Sequence, residues 1–219
     1  MKTHSTKDTL ILGAPLAEAK AAVILLHGRG SSGEDIAGLA EVLNRPNIAY
    51  LAPTATNGTW YPQRFLAPLA ENEPWLSSAL STVHELVVDL KNKGFSSDRI
   101  GIAGFSQGAC LAAEYVTRNP ARYLFTATLS GALIGPLDTP RPQVDLQGTP
   151  VLVACAEADA HIPKTHVEHS ATLLSSFGAE VTKWIFPGGG HTVFPPEVEW
   201  LQERLSELTT DSANRSQVR

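Results

Sequence analysis

The stretch of sequence that decides the fold is Arg99-Ile100-Gly101-Ile102-Ala103-Gly104-Phe105-Ser106-Gln107-Gly108-Ala109-Cys110-Leu111. Its first half is a short apolar run, which predicts a buried strand, and its second half has the composition of a helix. Between the two halves, glycine stands two residues before and two residues after Ser106. A Gly-x-Ser-x-Gly turn between a strand and a helix lifts the serine hydroxyl above the sheet, so Ser106 is predicted to be a nucleophile.

The spacing of the two glycines has a steric cause. A serine in such a tight turn crowds the backbone on both sides, and Gly104 and Gly108 leave room for the neighbouring chain. The helix that begins at Ser106 directs its first, unpaired amides at any negative charge that develops beside the hydroxyl.

Composition limits the class of protein. The chain has 219 residues, of which 43% are hydrophobic and 18% charged, and its formal net charge is -5. These values predict one soluble domain over residues 1–208, with a polar, flexible tail at 209–219, and they disfavour nucleic acid or insertion into a membrane as partners. Cys110 and Cys155 both lie in apolar segments, so we expect buried free thiols and a cytoplasmic location.

Apolar runs alternate with helical patterns along the whole chain. The predicted strands are 10–12, 21–26, 48–52, 100–105, 123–129, 151–156 and 181–186, with a long irregular section at 54–73. This alternation predicts a mostly parallel sheet with helices on both faces. Ser106, Asp159, His191 and the loop 27–30 all follow predicted strands, so we expect them to meet at the carboxyl edge of the sheet.

A serine nucleophile needs a base, and the base needs an orienting acid. His191 follows the last predicted strand in a glycine-rich loop and is the expected base. Asp159 is favoured as the acid, with Glu157 as its rival at the end of the same strand. The expected donors to an oxyanion are the backbone amides of Gln107 and Arg29, whereas His27 is interpreted as holding its loop in place.

Three segments together resemble the phospholipase/carboxylesterase branch of the α/β-hydrolases, which is related to the acyl-protein thioesterases. They are His27-Gly28-Arg29-Gly30, Gly104-Phe105-Ser106-Gln107-Gly108-Ala109 and Gly190-His191. The resemblance implies an α/β-hydrolase fold without a large cap domain, with Ser106, Asp159 and His191 as catalytic residues and oxyanion amides at Arg29 and Gln107. It also implies hydrolysis of small-molecule carboxylic esters or thioesters without a cofactor or a metal.

The section 60–65 departs from the thioesterase pattern and is rich in large aromatic side chains. We expect an acyl pocket for a short-to-medium acyl or aryl group, walled by Trp60, Tyr61, Phe65, Leu66 and Ile162. Apolar patches that would hold a homodimer are not readable from the sequence, which leaves a homodimer open.

The sequence leaves two other functions open. His161, His166 and His169, with Glu168, are close in sequence and would suit a metal-assisted hydrolase. A non-catalytic scaffold that binds a small ligand or a partner is the second alternative, because a fold alone does not prove an activity.

Overall fold

A computed structural model of the protein describes residues 3–215, which form a seven-stranded sheet and five α-helices. The strands are β1 (Leu10–Gly13), β2 (Ala21–Leu26), β3 (Ile48–Ala52), β4 (Ile100–Phe105), β5 (Phe125–Leu129), β6 (Pro150–Ala158) and β7 (Glu180–Gly189). The helices are α1 (Gly33–Leu43), α2 (Trp75–Asn92), α3 (Gln107–Arg118), α4 (Lys164–Ser176) and α5 (Pro195–Arg215).

The sheet has the strand order β1-β3-β2-β4-β5-β6-β7. Only β1 is antiparallel to its neighbour, and the other strands are parallel, with Leu26 opposite Gly104 and Phe105 opposite Leu129. Within residues 3–215 no separate cap domain covers the sheet. The predicted fold class, a mostly parallel sheet in an α/β protein, is therefore confirmed.

Alternate residues of the strands face two separate cores. In β2, Ile24 and Leu26 face the core formed with α2, α3 and α4, whereas Val23 and Leu25 face the core formed with α1 and α5. Both faces of the central strands are thus buried, which explains why these strands read as continuous apolar runs. None of the helices in the described part of the chain is long and apolar enough to cross a bilayer.

The structure differs from expectation mainly at the ends of elements. β6 and β7 are longer than predicted, and β7 continues through the glycines 188–189 because β6 pairs with it as far as Gly189. The section 54–73 contains two short 3-10 helices, Thr56–Gly58 and Leu69–Asn72. Helix α5 continues to Arg215, past the predicted domain end at 208. The division into a domain and a flexible tail at 209–219 stays a prediction, and residues 216–219 lie outside the described residues.

Candidate active site

Ser106 stands at the sharp turn between β4 and α3. Its backbone has φ 55° and ψ −116°, outside the regions that most residues occupy, and α3 begins at the next residue. A Cβ at Gly104 would lie 2.3 Å from the carbonyl of Gly108, and a Cβ at Gly108 would lie 2.1 Å from the oxygen of Leu26. Glycine is therefore required at both positions, as the sequence predicts.

Three side chains form one hydrogen-bonded series above this turn. Nε2 of His191 lies 2.7 Å from Oγ of Ser106, and Nδ1 of His191 lies 2.8 Å from Oδ2 of Asp159. The carboxylate is an acceptor only, so Nδ1 carries the proton and Nε2 is left to accept one from the hydroxyl. The Asp159 side chain is fully buried, and that of His191 is 20% exposed.

The sheet itself brings the aspartate and the histidine together. The last paired residues of β6 and β7 are Ala158 and Gly189, so Asp159 and His191 leave neighbouring strands at the same level. Oδ1 of Asp159 also accepts hydrogen bonds from the backbone amides of His161, at 2.7 Å, and Ile162, at 3.0 Å. These two bonds fix the carboxylate so that Oδ2 faces the imidazole.

Glu157, the other carboxylate considered from the sequence, lies elsewhere. Its side chain is exposed and accepts a hydrogen bond from Nζ of Lys164 at 2.9 Å, and that contact lowers the pKa of Glu157. The structure therefore brings Asp159, and not Glu157, to His191.

The loop after β2 lies beside the serine. A Cβ at Gly28 would be 3.5 Å from Cβ of Ser106, so the backbone passes close to the hydroxyl. Within residues 3–215, the backbone amides of Arg29 and Gln107 donate to no backbone carbonyl in the turns and loops. Two free amides beside a serine hydroxyl have the chemistry of an anion site.

The buried side chain of His27 holds the loop after β2 in place. It is fully buried, its Nδ1 donates to the oxygen of Gly28 at 2.7 Å, and its Nε2 accepts from the amide of Ala55 at 2.9 Å. Burial lowers the pKa of His27, which keeps the ring neutral and able to accept. The structural interpretation of His27 agrees with these contacts.

The loop 60–65 is tied to the serine turn by a side chain whose role sequence reasoning missed. Oε1 of Gln107 accepts from the amide of Trp60 at 2.9 Å, and its Nε2 donates to the oxygen of Tyr61 at 2.8 Å. The guanidinium of Arg29 donates to the carbonyls of Pro62 and Gln63 at 2.9 and 2.5 Å. In the sequence, the only indication of this role of the Gln107 side chain is its position directly after the serine.

A cavity of about 350 Å³ opens beside Ser106 and His191. Three of the predicted wall residues, Tyr61, Phe65 and Ile162, do line it. The other two, Trp60 and Leu66, are not part of its lining. Trp60 is fully buried in the core, where its indole N–H donates to the oxygen of His27, and Leu66 packs against the same core.

Further residues of the cavity wall were not predicted, among them Arg64, Phe105, Cys110 and His161. Burial raises the pKa of Cys110 to about 12, so its thiol stays neutral and is a poor nucleophile. The ring of His161 lies 4.7 Å from that of His191, between centroids. The place of His161 in the cavity wall could have been predicted from the sequence, because His161 is two residues from Asp159.

Two of the histidines considered for a metal have different surroundings. His161 faces the cavity, whereas His166 packs edge-on against Phe65 at 5.6 Å. The described residues contain no group of three or more His, Cys, Asp or Glu side chains arranged to hold a metal ion. The histidine cluster therefore supplies no ligand set for the metal-assisted alternative.

Solved structures support the same architecture. A phospholipase/carboxylesterase from Dyadobacter fermentans DSM 18053 is 39% identical, covers 94% of this chain and 98% of its own, and superposes with a TM-score of 0.87. The esterase PE8 is 25% identical, with 91% and 97% of the two chains covered and a TM-score of 0.75.

The sequence comparisons agree in coverage. Acyl-protein thioesterase 1 of Neurospora crassa is 25% identical over 99% of this chain and 98% of its own. A probable carboxylesterase of Oryza sativa subsp. japonica is 26% identical over 90% and 94%. The phospholipase/carboxylesterase family matches residues 11–209. With its α/β-hydrolase fold and a match over nearly its whole length, the chain belongs to the phospholipase/carboxylesterase family.

Proposed function

We propose that the protein is a serine hydrolase that cleaves carboxylic esters or thioesters of short-to-medium acyl or aryl groups through an acyl-enzyme. The observation that carries the proposal is the hydrogen-bonded series from Ser106 through His191 to Asp159, with distances of 2.7 and 2.8 Å. Membership of the family, and relatives named as carboxylesterases and thioesterases, support the same reaction class.

Acylation begins when Oγ of Ser106 attacks the substrate carbonyl carbon and its proton passes to Nε2 of His191. The new Oγ–C bond forms, the carbonyl π electrons move to oxygen, and the amides of Arg29 and Gln107 donate to that oxyanion. When the oxyanion collapses, the bond to the alcohol or thiol breaks, and His191 returns the proton to the departing atom. Asp159 stabilises the imidazolium without taking its proton.

Deacylation repeats these steps with water as the nucleophile. His191 takes a proton from water, the hydroxide adds to the acyl carbon, and Ser106 leaves with the proton that His191 returns. The acid is released, and the enzyme is regenerated without an external oxidant, reductant or cofactor.

The cavity sets the size of the acyl group. Its apolar wall of Tyr61, Phe65 and Ile162, and its volume of about 350 Å³, suit a short-to-medium chain or an aryl ring.

The test is hydrolysis of p-nitrophenyl esters of graded acyl length by the wild type, Ser106→Ala and the control Ser176→Ala. We expect Ser106→Ala to lower kcat by at least about 10³-fold with an unchanged unfolding midpoint, and the exposed Ser176 to be dispensable. A fluorophosphonate should label Ser106. Full activity of Ser106→Ala would contradict the proposal, and binding of esters without turnover by the wild type would favour a non-catalytic scaffold.

The cellular setting is part of the proposal. Cys110 and Cys155 are free, buried thiols, which suits a reducing compartment such as the cytoplasm. A homodimer stays a prediction, and sedimentation of the purified chain would test it.

A further inference from the structure

A second recess adjoins the cavity on the other side of Phe105. It is a groove of about 380 Å³ between α1 and the start of α5, and it shares Gly28, Ser31 and Phe105 with the cavity. We call it the α1–α5 groove. These three shared residues place the two recesses side by side, next to the turn that carries Ser106.

The walls of the α1–α5 groove are almost entirely apolar. Beyond the shared residues and Asp35 they are Ile36, Gly38, Leu39, Val42, Val193 and Val198. Asp35 is the one carboxylate in the lining, and its Oδ2 is occupied by hydrogen bonds from Ser31 and Ser32 at the start of α1. Val42 is 57% exposed and adds apolar surface to the groove. The groove therefore suits an uncharged hydrocarbon chain.

His191 itself lines the cavity, and the groove approaches its imidazole from the other side of Phe105. The ring of Phe105, its inner wall, is 5.0 Å from the ring of His191 between centroids, and Val193 is two residues beyond His191 on the same loop. In acyl transfer the base returns its proton to the departing oxygen, so that oxygen must lie beside Nε2 of His191. The group attached to the departing oxygen is then directed toward this groove.

We propose that the α1–α5 groove binds the apolar alcohol or thiol arm of the substrate, while the cavity beside Tyr61 and Ile162 holds the acyl arm. This inference rests on the proposed function and adds to it a substrate class, namely esters with a hydrocarbon chain on the departing side. Binding energy from that chain is available before the bond breaks, and it raises kcat/KM for such esters over methyl esters.

Gly38→Leu tests the proposal by filling the groove. An added Cβ at Gly38 meets nothing within 4 Å, so the new side chain enters open space without displacing backbone. Leucine is also a better helix former than glycine inside α1, so folding is preserved.

Pentyl acetate and methyl hexanoate are the matched substrates, because they are isomers that carry the same chain length on opposite sides of the ester. In the wild type both should be hydrolysed. We expect Gly38→Leu to lower the kcat/KM for pentyl acetate, relative to that for methyl hexanoate, by about tenfold. A loss of this size corresponds to about two methylene groups that no longer bind in the groove.

A second pair of variants makes the test independent of Gly38. Val42→Asp places a charge at the end of the groove, whereas Val88→Asp makes the same change at an exposed valine of α2, outside the groove. The ratio should fall in Val42→Asp and stay at the wild-type value in Val88→Asp.

Three results would overturn the inference. An unchanged ratio in both Gly38→Leu and Val42→Asp would remove the groove from substrate binding. A ratio that rises would assign the acyl arm to the groove instead, and equal falls in Val42→Asp and Val88→Asp would make the effect nonspecific. The proposed function fails separately, if the wild type hydrolyses neither ester nor the p-nitrophenyl series.

Discussion

At the scale of single residues, Ser106 is held in a backbone conformation that costs free energy. A non-glycine residue at φ 55° and ψ −116° is strained, and the strain persists because the surroundings fix it. The amide of Ser106 donates to the oxygen of Leu129 at 3.0 Å, and its own oxygen accepts from Cys110. The hydroxyl is thus directed at His191 before any substrate binds.

Gly108→Ala tests how tightly this turn is packed. Its methyl group would lie 2.1 Å from a backbone oxygen that cannot move without shifting β2. We expect the free energy of unfolding to fall by about 2–3 kcal/mol, measured by urea denaturation. Gly38→Ala is the control, since its methyl group enters open space in α1 and should raise stability by up to about 1 kcal/mol. Equal effects of the two substitutions would contradict the steric account.

Asp159→Asn tests the assignment of the acid. The amide of asparagine can donate to Nδ1 of His191, which would force the proton onto Nε2 and remove the acceptor for the hydroxyl of Ser106. We expect kcat to fall by about 10²–10⁴-fold with little change in KM. Glu157→Gln should retain wild-type kcat, because the Glu157 side chain is exposed and its hydrogen bond is with Lys164 instead of His191. The reverse order of effects would contradict the geometry.

At the scale of elements, the sequence predicts the strands that have a simple physical cause. β2, β3 and β4 lie in the middle of the sheet with both faces buried, so they read as apolar runs with clear ends. β7 was predicted too short, since its glycines 188–189 signal a loop, and only pairing with β6 makes them a strand. The same limit explains Trp60, whose hydrogen bond to His27 depends on a partner 33 residues away.

Helix α5 contains a buried carboxyl group that links its first turn to the loop of His191. Oε2 of Glu197 accepts from the amide of Phe194 at 2.6 Å, in the capping position of the helix. Burial raises the pKa of Glu197 to about 7, against the opposite effect of the backbone bonds with Phe194 and Ser130. Ser130 also donates from Oγ to the oxygen of Thr192, so the loop is fixed from two sides.

Glu197→Gln should change the pH dependence of stability. Between pH 4.5 and about 7 the folded protein keeps the Glu197 proton while the unfolded chain loses it, so the contribution of Glu197 to the free energy of unfolding falls as pH rises. The glutamine variant lacks this loss. Relative to the wild type, it should gain about 2–3 kcal/mol between pH 5 and pH 8 by urea denaturation. Glu199→Gln, on the exposed side of α5, is the matched control, and a difference that is constant with pH would contradict the prediction.

At the scale of the whole molecule, a buried network joins elements that are far apart in sequence. His4, near the start of the described chain, donates from Nε2 to the oxygen of Trp60 at 2.8 Å and accepts at Nδ1 from the amide of Thr56. The backbone amide of His4 donates a hydrogen bond to Oγ of Ser78 in α2. The indole of Trp60 stands between the rings of His4 and His27, at 5.6 and 4.9 Å. The segment around His4 therefore supports the loop after β2. This segment is polar and has no strand pattern, so its sequence gives no indication of the contact.

This network should make the fold sensitive to acid. Burial lowers the pKa of both His4 and His27 below the ordinary value of 6.5, and each ring uses one nitrogen as an acceptor, which protonation would destroy. Below pH 6.5 these two histidines therefore bind more protons in the unfolded chain than in the folded one, and their contribution to the free energy of unfolding falls as pH falls. Each histidine can contribute a slope of at most about 1.4 kcal/mol per pH unit.

The measurement is urea denaturation of the wild type, His4→Gln and Glu197→Gln from pH 7.5 to pH 5. Glutamine can donate and accept as the neutral ring does but does not titrate, so His4→Gln should flatten the decline in stability below pH 6.5. Glu197 acts in the opposite direction over this interval, because its raised pKa stabilises the folded protein as pH falls, so Glu197→Gln should steepen the decline. If the decline were the same in all three proteins, acid sensitivity would have to arise outside this network. Opposite changes in the two variants would show that the pH dependence of stability arises from the opposing titrations of the buried imidazoles and of the Glu197 carboxyl group.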